Sequence, residues 1–271
     1  MMLPLSSAAL AFDAIAPDFD VRFGAWASVA AQRRAVRAAL LRQFPAAGRI
    51  LELGGGTGED AAYLARLGFK VHLTDPSPAM VSVADSKLAA LGSRAQVVAA
   101  EEMNMFADAY LARGGQSFDG AFSNFAPLNC VLDLTPAARG LARLLRPGAL
   151  AMLVLFGTFC PGEMAAEILR GRPRSVLRRF QRKRISARLA GRTFDIVYHR
   201  GAAIQLAFSP WFELEKRLGI GIAVPPSAAE PWISRHPSLL VAMEAIDQTV
   251  SRPLAFLGDH ILYQFRRTSA E

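Results

Sequence analysis

The sequence is poor in cysteine and histidine, with two cysteines and four histidines among 271 residues. Cys130 and Cys160 supply neither a disulfide framework nor the clustered ligands of a zinc site. The longest apolar run, Gly148–Cys160, is shorter than the roughly 20 residues that span a bilayer. No basic stretch precedes the apolar N-terminus, so no signal peptide is predicted. These absences favour a cytoplasmic protein with reduced thiols, no metal and no transmembrane segment.

Positive charge, by contrast, is in excess, with a net charge of +8. Arg170–Arg192 contains ten Arg or Lys residues and no Asp or Glu. Apolar residues from Val176 to Leu189 recur near helical spacing, which predicts an amphipathic helix with a solvated basic face. The alternative is a surface for an acidic partner, namely a carrier protein, an anionic substrate group or an acidic membrane. Nucleic-acid binding is not favoured, because the segment has few aromatic residues and the chain has no such motif.

Apolar residues make up 52% of the chain, enough for a sizeable core. Strands and helices alternate strictly from residue 49 to residue 156, which predicts a parallel sheet with helices on both faces. An N-terminal cap of helices is predicted at 1–45. Beyond residue 156 the alternation breaks, and two helical insertions are predicted at 157–208 and 225–257. The remaining strands are predicted at 194–200, 211–224 and 259–267.

A glycine turn follows the first predicted strand, at 49–53. Glu52, Gly54, Gly56 and Gly58 give the spacing E-x-G-x-G-x-G, whereas a dinucleotide fingerprint would need glycine where Glu59 stands. The next helix starts with two acidic residues, which would repel a pyrophosphate. A carboxylate that can accept both hydroxyls of a ribose, Asp75, ends the second strand. The pattern therefore favours a nucleoside ligand with a cationic or zwitterionic tail.

Four segments together resemble the class I S-adenosylmethionine-dependent methyltransferase family: Ile50–Gly58, Val71–Met80, Ser117–Asn124 and Leu144–Gly148. The resemblance implies an α/β fold, a Rossmann-like doubly wound sheet of seven mostly parallel strands in the order 3-2-1-4-5-7-6. The last strand would be antiparallel, and the chain 1–271 would be one domain whose insertions form a helical lid. The cofactor would be S-adenosylmethionine.

The resemblance also implies a role for each matching residue. The methionine part of the cofactor would contact Gly54, Gly55, Gly56 and Gly58, with Glu52 beneath its ammonium group. Asp75 would hold the ribose, and the adenine and methyl positions would be lined by Pro76, Met80, Ala100, Glu101, Ser123 and Asn124. Met80 is alternatively a core residue. The segment Phe12–Asp20 resembles the family's opening segment, with phenylalanine in place of tyrosine, and is expected to close over the cofactor.

The reaction implied is an in-line displacement, in which alignment of the reacting atoms matters most. No compact base motif is present; the candidates for catalysis are His199, Tyr198 and Asn124, and the other histidines are expected to be structural or exposed. The predicted substrate is a small, largely apolar metabolite methylated at oxygen. The alternatives are transfer to nitrogen or carbon, a carrier-protein-bound acyl substrate, and a non-catalytic regulatory protein that binds S-adenosylmethionine.

Overall fold

The computed structural model describes residues 5–181 and 184–269. The strands of this part are β1 Arg49–Leu53, β2 Lys70–Asp75, β3 Arg94–Val97, β4 Phe118–Ser123, β5 Leu145–Phe156, β6 Ile185–Leu189, β7 Arg192–Ile196, β8 Phe212–Ile220 and β9 His260–Arg267. The helices are α1 Ser7–Asp13, α2 Phe19–Gly24, α3 Ala27–Gln43, α4 Glu59–Arg66, α5 Pro78–Leu88, α6 Met103–Ala112, α7 Thr135–Leu144, α8 Pro161–Leu169, α9 Gly201–Phe208 and α10 Pro237–Val250.

Seven strands form one sheet in the order β3-β2-β1-β4-β5-β9-β8. The first five are parallel, and β9 is antiparallel to both β5 and β8. Because β8 and β9 are the sixth and seventh strands of this sheet, the predicted order is confirmed. Core clusters cover both faces of the sheet, which explains why β5 is continuously apolar from Ala149 to Leu155.

Local signals set the helix ends near the site. Ser77 caps α5, since its hydroxyl accepts a hydrogen bond from the Met80 amide, and Pro78 occupies the first helical position. Gly58, in the left-handed region at φ +79°, stands directly before α4. Both helices therefore begin at the carboxyl end of a parallel strand, the edge at which such sheets bind ligands.

The prediction of a helix across Arg170–Arg192 is wrong. After α8 the chain makes two short 3-10 turns, and then β6 and β7 form a two-stranded hairpin outside the main sheet. Ala190 and Gly191 have φ values of +50° and +75°, typical of a tight hairpin turn. Inward residues of β6 recur every second position, so the true period is two rather than 3.6. Arg182 and Lys183 lie outside the described residues.

The strand predicted at 194–200 is present but begins and ends earlier, as β7, and it pairs with β6. Within the predicted insertion 157–208, α9 buries Ile204 and Phe208 against the main core, so it belongs to the helical layer of the sheet. The segment 225–257 contains α10 and short 3-10 turns and packs against α3. No helix within the described ranges combines the length and hydropathy needed to cross a membrane.

His72 lies in an aromatic cluster on β2, with Phe106, Tyr110 and Phe118 around its ring. Burial, and then the charge of Arg94, lowers its pKa from 6.5 to about 4. Between pH 6.5 and about pH 4, His72 is therefore protonated in the unfolded chain but not in the folded protein. We expect about 3 kcal/mol of stability, fully present above pH 6.5, to be lost as the pH falls to 4. Urea unfolding of His72→Leu at both pH values tests this, because the variant should lack that component; an unchanged pH dependence would contradict it.

Candidate active site

The glycine turn after β1 is held against the neighbouring strand. The amides of Gly54 and Gly55 both donate to the carbonyl oxygen of Thr74, at 2.7 and 3.1 Å. Gly54, Gly56 and Gly58 have φ values of +64°, +54° and +79°, a region that side chains rarely adopt. The turn is thus fixed in a shape that depends on glycine.

The glycines differ in what surrounds them. A Cβ on Gly54 would lie 2.4 Å from the Pro127 Cβ, and one on Gly55 would lie 2.4 Å from Leu73 Cδ1. A Cβ on Gly56 would meet no atom within 4 Å. Gly54 and Gly55 are therefore required by packing against the protein itself, whereas Gly56 borders open space in which a ligand can approach the backbone.

Glu52 is a buried carboxylate beneath this turn, with 2% of its surface exposed. Its Oε2 atom has no hydrogen-bond partner among the described residues. Burial and then the negative charge of Asp60 raise its pKa well above the ordinary value, against the attraction of Arg33. A buried carboxylate in this state requires a proton or a cation. The site thus provides an acceptor suited to an ammonium group.

Asp75 ends β2 beside the open space at Gly56. Its Oδ2 accepts from the Gly56 amide and its Oδ1 from the Ser77 amide, both at 2.9 Å. Burial raises its pKa to about 6 despite these two bonds. Each carboxylate oxygen can accept a second hydrogen bond, so two hydroxyl donors can still be bound.

The N-terminal segment is attached to the turn through two aspartates. Asp13 Oδ1 accepts from the Ser77 hydroxyl and the Ala79 amide, both at 2.8 Å. Asp20 Oδ1 accepts from the Thr57 hydroxyl at 2.6 Å. The sequence resemblance predicted closure by this segment but identified no anchoring role for the acids. The spacing of Asp13 and Asp20 within Phe12–Asp20 was the sequence signal from which this anchoring role could have been predicted.

Met80 is buried with Ile15 and Ala16 of this cap, so its placement is that of a core residue beside the site. Pro76, half-buried, connects β2 to α5. Ala100 and exposed Glu101 form a 3-10 turn at the end of the β3 connection. These positions all lie at the carboxyl edge of the sheet, where the adenine was predicted.

A polar network joins the glycine turn to the end of β4. Asn124 donates through Nδ2 to Asp60 Oδ2 at 2.8 Å, and its Oδ1 accepts from the Phe125 amide. Asp60 also accepts from Arg37 Nε at 2.6 Å, and Arg33 lies 3.7 Å away. Asp60 was not predicted as a site residue, because in the sequence it stands out only as a charge at the start of a helix. Asn124 is thereby fixed in position.

Backbone strain follows directly after this network. Phe125 and Ala126 have φ values of +56° and +61°, which are uncommon for residues other than glycine. Ser123, which precedes them, is fully buried, and its hydroxyl has no partner in the described part of the chain. Strained backbone beside unsatisfied polar groups is typical of ligand sites.

The two predicted residues on the insertion, Tyr198 and His199, are both buried. His199 Nε2 lies 2.9 Å from the Val131 carbonyl oxygen, to which it donates, and burial lowers its pKa. The Nε2 atom of His199 is therefore engaged in a bond that holds the loop after β4. The Tyr198 ring lies 5.7 Å from the Phe156 ring, at the end of β5. The geometry therefore favours a packing role for His199 over the predicted role as a base.

A buried ionic cluster occupies the end of the same edge. Arg179 Nη2 lies 2.6 Å from Asp259 Oδ1, and its Nε donates to Glu163 Oε2 at 2.9 Å. Its Nη1 donates to the carbonyl oxygens of Gly157 and Asp259. All three charged side chains are at least 90% buried. One arginine of the basic segment is thus a core residue, contrary to the predicted solvated face.

Residues 50–148 match the family model described as a methyltransferase domain. No curated protein matches the sequence. The solved structure of the [4+2]-cyclase SpnF has a TM-score of 0.62 and 16% identity, with 99% of this chain and 98% of that chain covered. A TehB-like S-adenosylmethionine-dependent methyltransferase from Corynebacterium glutamicum has a TM-score of 0.55 and 16% identity, covering 94% and 99%. DhpI in complex with SAH has a TM-score of 0.56 and 16% identity, covering 97% and 96%.

At such identities the structural likeness concerns the fold alone. The sheet order and the glycine turn define the class I methyltransferase fold. The family match over residues 50–148 confirms the resemblance to the S-adenosylmethionine-dependent methyltransferase family and supports that cofactor.

Proposed function

We propose that this protein transfers a methyl group from S-adenosylmethionine to an oxygen atom of a small, largely apolar metabolite. The observation that carries the proposal is the buried Glu52 carboxylate, whose Oε2 has no partner among the described residues, beneath a glycine turn that opens at Gly56. The cofactor supplies a methyl group activated on a sulfonium when it is bound. The chain must bind, align and enclose the reacting groups.

The residues fit this cofactor in three ways. Glu52 would accept from its ammonium group, and the backbone at Gly56 would pass beside its methionine part. Asp75 would accept from the ribose hydroxyls with its remaining lone pairs. We propose that the adenine lies between the turns at Pro76 and Glu101, and that Asn124 borders the methyl group.

The acceptor side would be lined by aromatic residues at the ends of β4 and β5. The Tyr198 ring lies 5.7 Å from the Phe156 ring, and the rings of Phe156 and Phe125 both contact His260. The rings of Phe159 and Phe180 lie 5.9 Å apart on the neighbouring insertion. We propose that the N-terminal cap 1–45 and the insertions 157–208 and 225–257 enclose this space. An apolar, planar acceptor suits such a lining.

Transfer to nitrogen or carbon remains an alternative, as does a non-catalytic protein that binds the cofactor. A carrier-bound acyl substrate is the third. It draws support from exposed arginines on and around the hairpin, Arg172, Arg174, Arg184, Arg188 and Arg192, beside exposed Leu169 and Leu177. Intact mass of a recombinant acyl carrier protein after incubation would distinguish it, since only that alternative adds a methyl group there.

Calorimetry with S-adenosylmethionine and S-adenosylhomocysteine tests the cofactor assignment, using wild type, Gly56→Ala and Gly68→Ala. The methyl group of Gly56→Ala would fill the open space, so we expect at least about tenfold weaker binding of both ligands. Gly68 is the matched control, because it too has positive φ and no atom within 4 Å of an added Cβ. Both variants should lose about 1 kcal/mol of stability from backbone strain.

Absence of binding by the wild-type protein would refute the proposed function. Equal affinity of the two glycine variants would instead show that the ligand does not pass beside Gly56.

A further inference from the structure

His260, the first residue of β9, lies at the acceptor side of the site. Its ring stacks on Phe156 of β5 with centroids 4.8 Å apart, and it meets Phe125 edge-on at 6.0 Å. Phe125 is the strained residue that follows Asn124, and the guanidinium of Arg33 lies 4.9 Å from its ring centroid on the network around Asp60. The histidine thus contacts the residue that directly follows Asn124, the residue proposed to border the methyl group.

A buried acid lies beside this histidine. His260 Nδ1 is 3.3 Å from Asp259 Oδ2, an ion-pair distance without the alignment of a hydrogen bond. Hydrogen bonds at catalytic groups are often poorly aligned in the free enzyme and tighten in the complex. With Nδ1 oriented toward the carboxylate, Nε2 is the nitrogen that can receive a proton. No residue of 5–181 or 184–269 forms a hydrogen bond to Nε2.

Asp259 is in turn fixed by several groups. Arg179 contacts its Oδ1, and Gln32 Nε2 donates to its Oδ2 at 3.2 Å. Burial alone would raise the pKa of Asp259, but His260 and Arg179 hold it below the usual range. The carboxylate therefore stays ionised in a nearly dry site, where burying it would otherwise be unfavourable. A buried acid kept charged beside a histidine resembles the pairs that orient and stabilise an imidazolium.

We propose that His260 is the general base for a hydroxyl acceptor, with Asp259 as its positioning residue. This inference rests on the proposed function and names its substrate class as a planar compound that bears a hydroxyl group. The acceptor oxygen forms a bond to the methyl carbon while the carbon–sulfur bond breaks. The electron pair of the carbon–sulfur bond goes to sulfur. The hydroxyl proton passes to His260 Nε2 and then to solvent. A carboxylate acceptor would need no such base.

Methyl-tritiated S-adenosylmethionine with a library of aromatic and aliphatic hydroxyl compounds, and matched amines and carboxylic acids, identifies the acceptor group. We expect transfer to phenols or alcohols. With the best hydroxyl probe, His260→Gln should lower kcat by about 100- to 1000-fold, with affinity for S-adenosylhomocysteine unchanged. Asp259→Asn should lower kcat by about tenfold or more. His236→Gln, an exposed histidine on the second insertion, is the matched control and should behave as wild type.

The pH profile separates a base from a structural residue. The wild-type profile should contain an inflection in kcat/KM that His260→Gln removes and His236→Gln retains. Asp259 is the charged group beside the imidazole. The fit must also consider the groups that interact with Asp259, namely Arg179, Cys160 and Tyr198, together with Glu163 beside Arg179 and Arg33 over the Phe125 ring. A nitrophenol, which ionises without help, should lose less than about threefold in the same variant.

Transfer only to amines or carboxylic acids, no transfer to any hydroxyl probe, or full activity of His260→Gln would each overturn the base assignment while cofactor binding persists. Failure to bind S-adenosylmethionine would instead overturn the proposed function. Circular dichroism and affinity for S-adenosylhomocysteine test whether His260→Gln is folded; if both match wild type, a loss of kcat reflects the missing base.

Discussion

Glu52→Gln is expected to weaken binding of S-adenosylmethionine by about 100-fold and to make the free protein more stable. Removing one partner of a buried, hydrogen-bonded charge pair commonly costs about 2–5 kcal/mol of binding, and 2.7 kcal/mol is a factor of about 100. In the free protein the same carboxylate has an unpartnered oxygen and two acidic neighbours. Glutamine has nearly the same shape without the charge, so stability should rise by roughly 1–3 kcal/mol.

The stability gain should depend on pH in a defined direction. The raised pKa of Glu52 means that the folded state binds a proton more readily than the unfolded chain. Protonated Glu52 therefore favours the folded state at low pH, and this contribution is lost as the pH rises through the folded-state pKa of Glu52. The excess stability of Glu52→Gln over wild type should therefore be largest in alkaline buffer and shrink on acidification.

Calorimetry gives the affinity, and urea unfolding at several pH values gives the stability. Glu213→Gln, an exposed acid on β8 at the edge of the sheet, is the control and should change neither. Unchanged affinity in Glu52→Gln would contradict the proposed contact between Glu52 and the ammonium group of the cofactor. Lower stability would mean that the carboxylate is satisfied in the free protein.

Arg179→Met is expected to destabilise the protein by about 3–5 kcal/mol, the usual result of leaving buried charges without their partner. Glu163 and Asp259 would then face each other in a dry environment, and the carbonyl oxygens of Gly157 and Asp259 would lose a donor. For a chain of this length that loss corresponds to a decrease in Tm of about 5–9 °C.

Arg178→Met is the matched control, because the neighbouring arginine also contacts Glu163, at 2.7 Å, but has 43% of its side chain exposed. We expect about 1 kcal/mol or less from it. Adding Glu163→Gln to Arg179→Met should recover part of the lost stability. Equal Tm values for the two arginine variants would mean that Arg179 is exposed to solvent and does not hold Asp259 in position.

The sheet was largely predictable because strands buried on both faces are apolar throughout and the turns between elements contain glycine and proline. β1 has the bounds that were predicted. The hairpin was not predictable in the same way. Val176, Leu177 and Phe180 suggest a helix, and only Ile185 and its neighbours alternate with period two.

The cofactor side of the site was also visible in the sequence, since Glu52, the glycines and Asp75 lie within one local unit. The acceptor side was not, because its contacts join distant residues. Arg179 and Asp259 are 80 positions apart, and Gln32 and Asp259 are 227 apart. Nothing near Arg179 distinguishes it from the exposed arginines around it. Burial decided its role, and burial is set by the tertiary structure.

The position of β9 between β5 and β8 has a consequence for how the protein matures during synthesis. The glycine turn, Asp75 and Asn124 all belong to the first half of the chain, so the cofactor side can assemble early. Asp259 and His260 arrive with the last strand, which must insert between two strands made before it. The nascent chain would therefore become able to hold the methyl donor before it can present an acceptor to it.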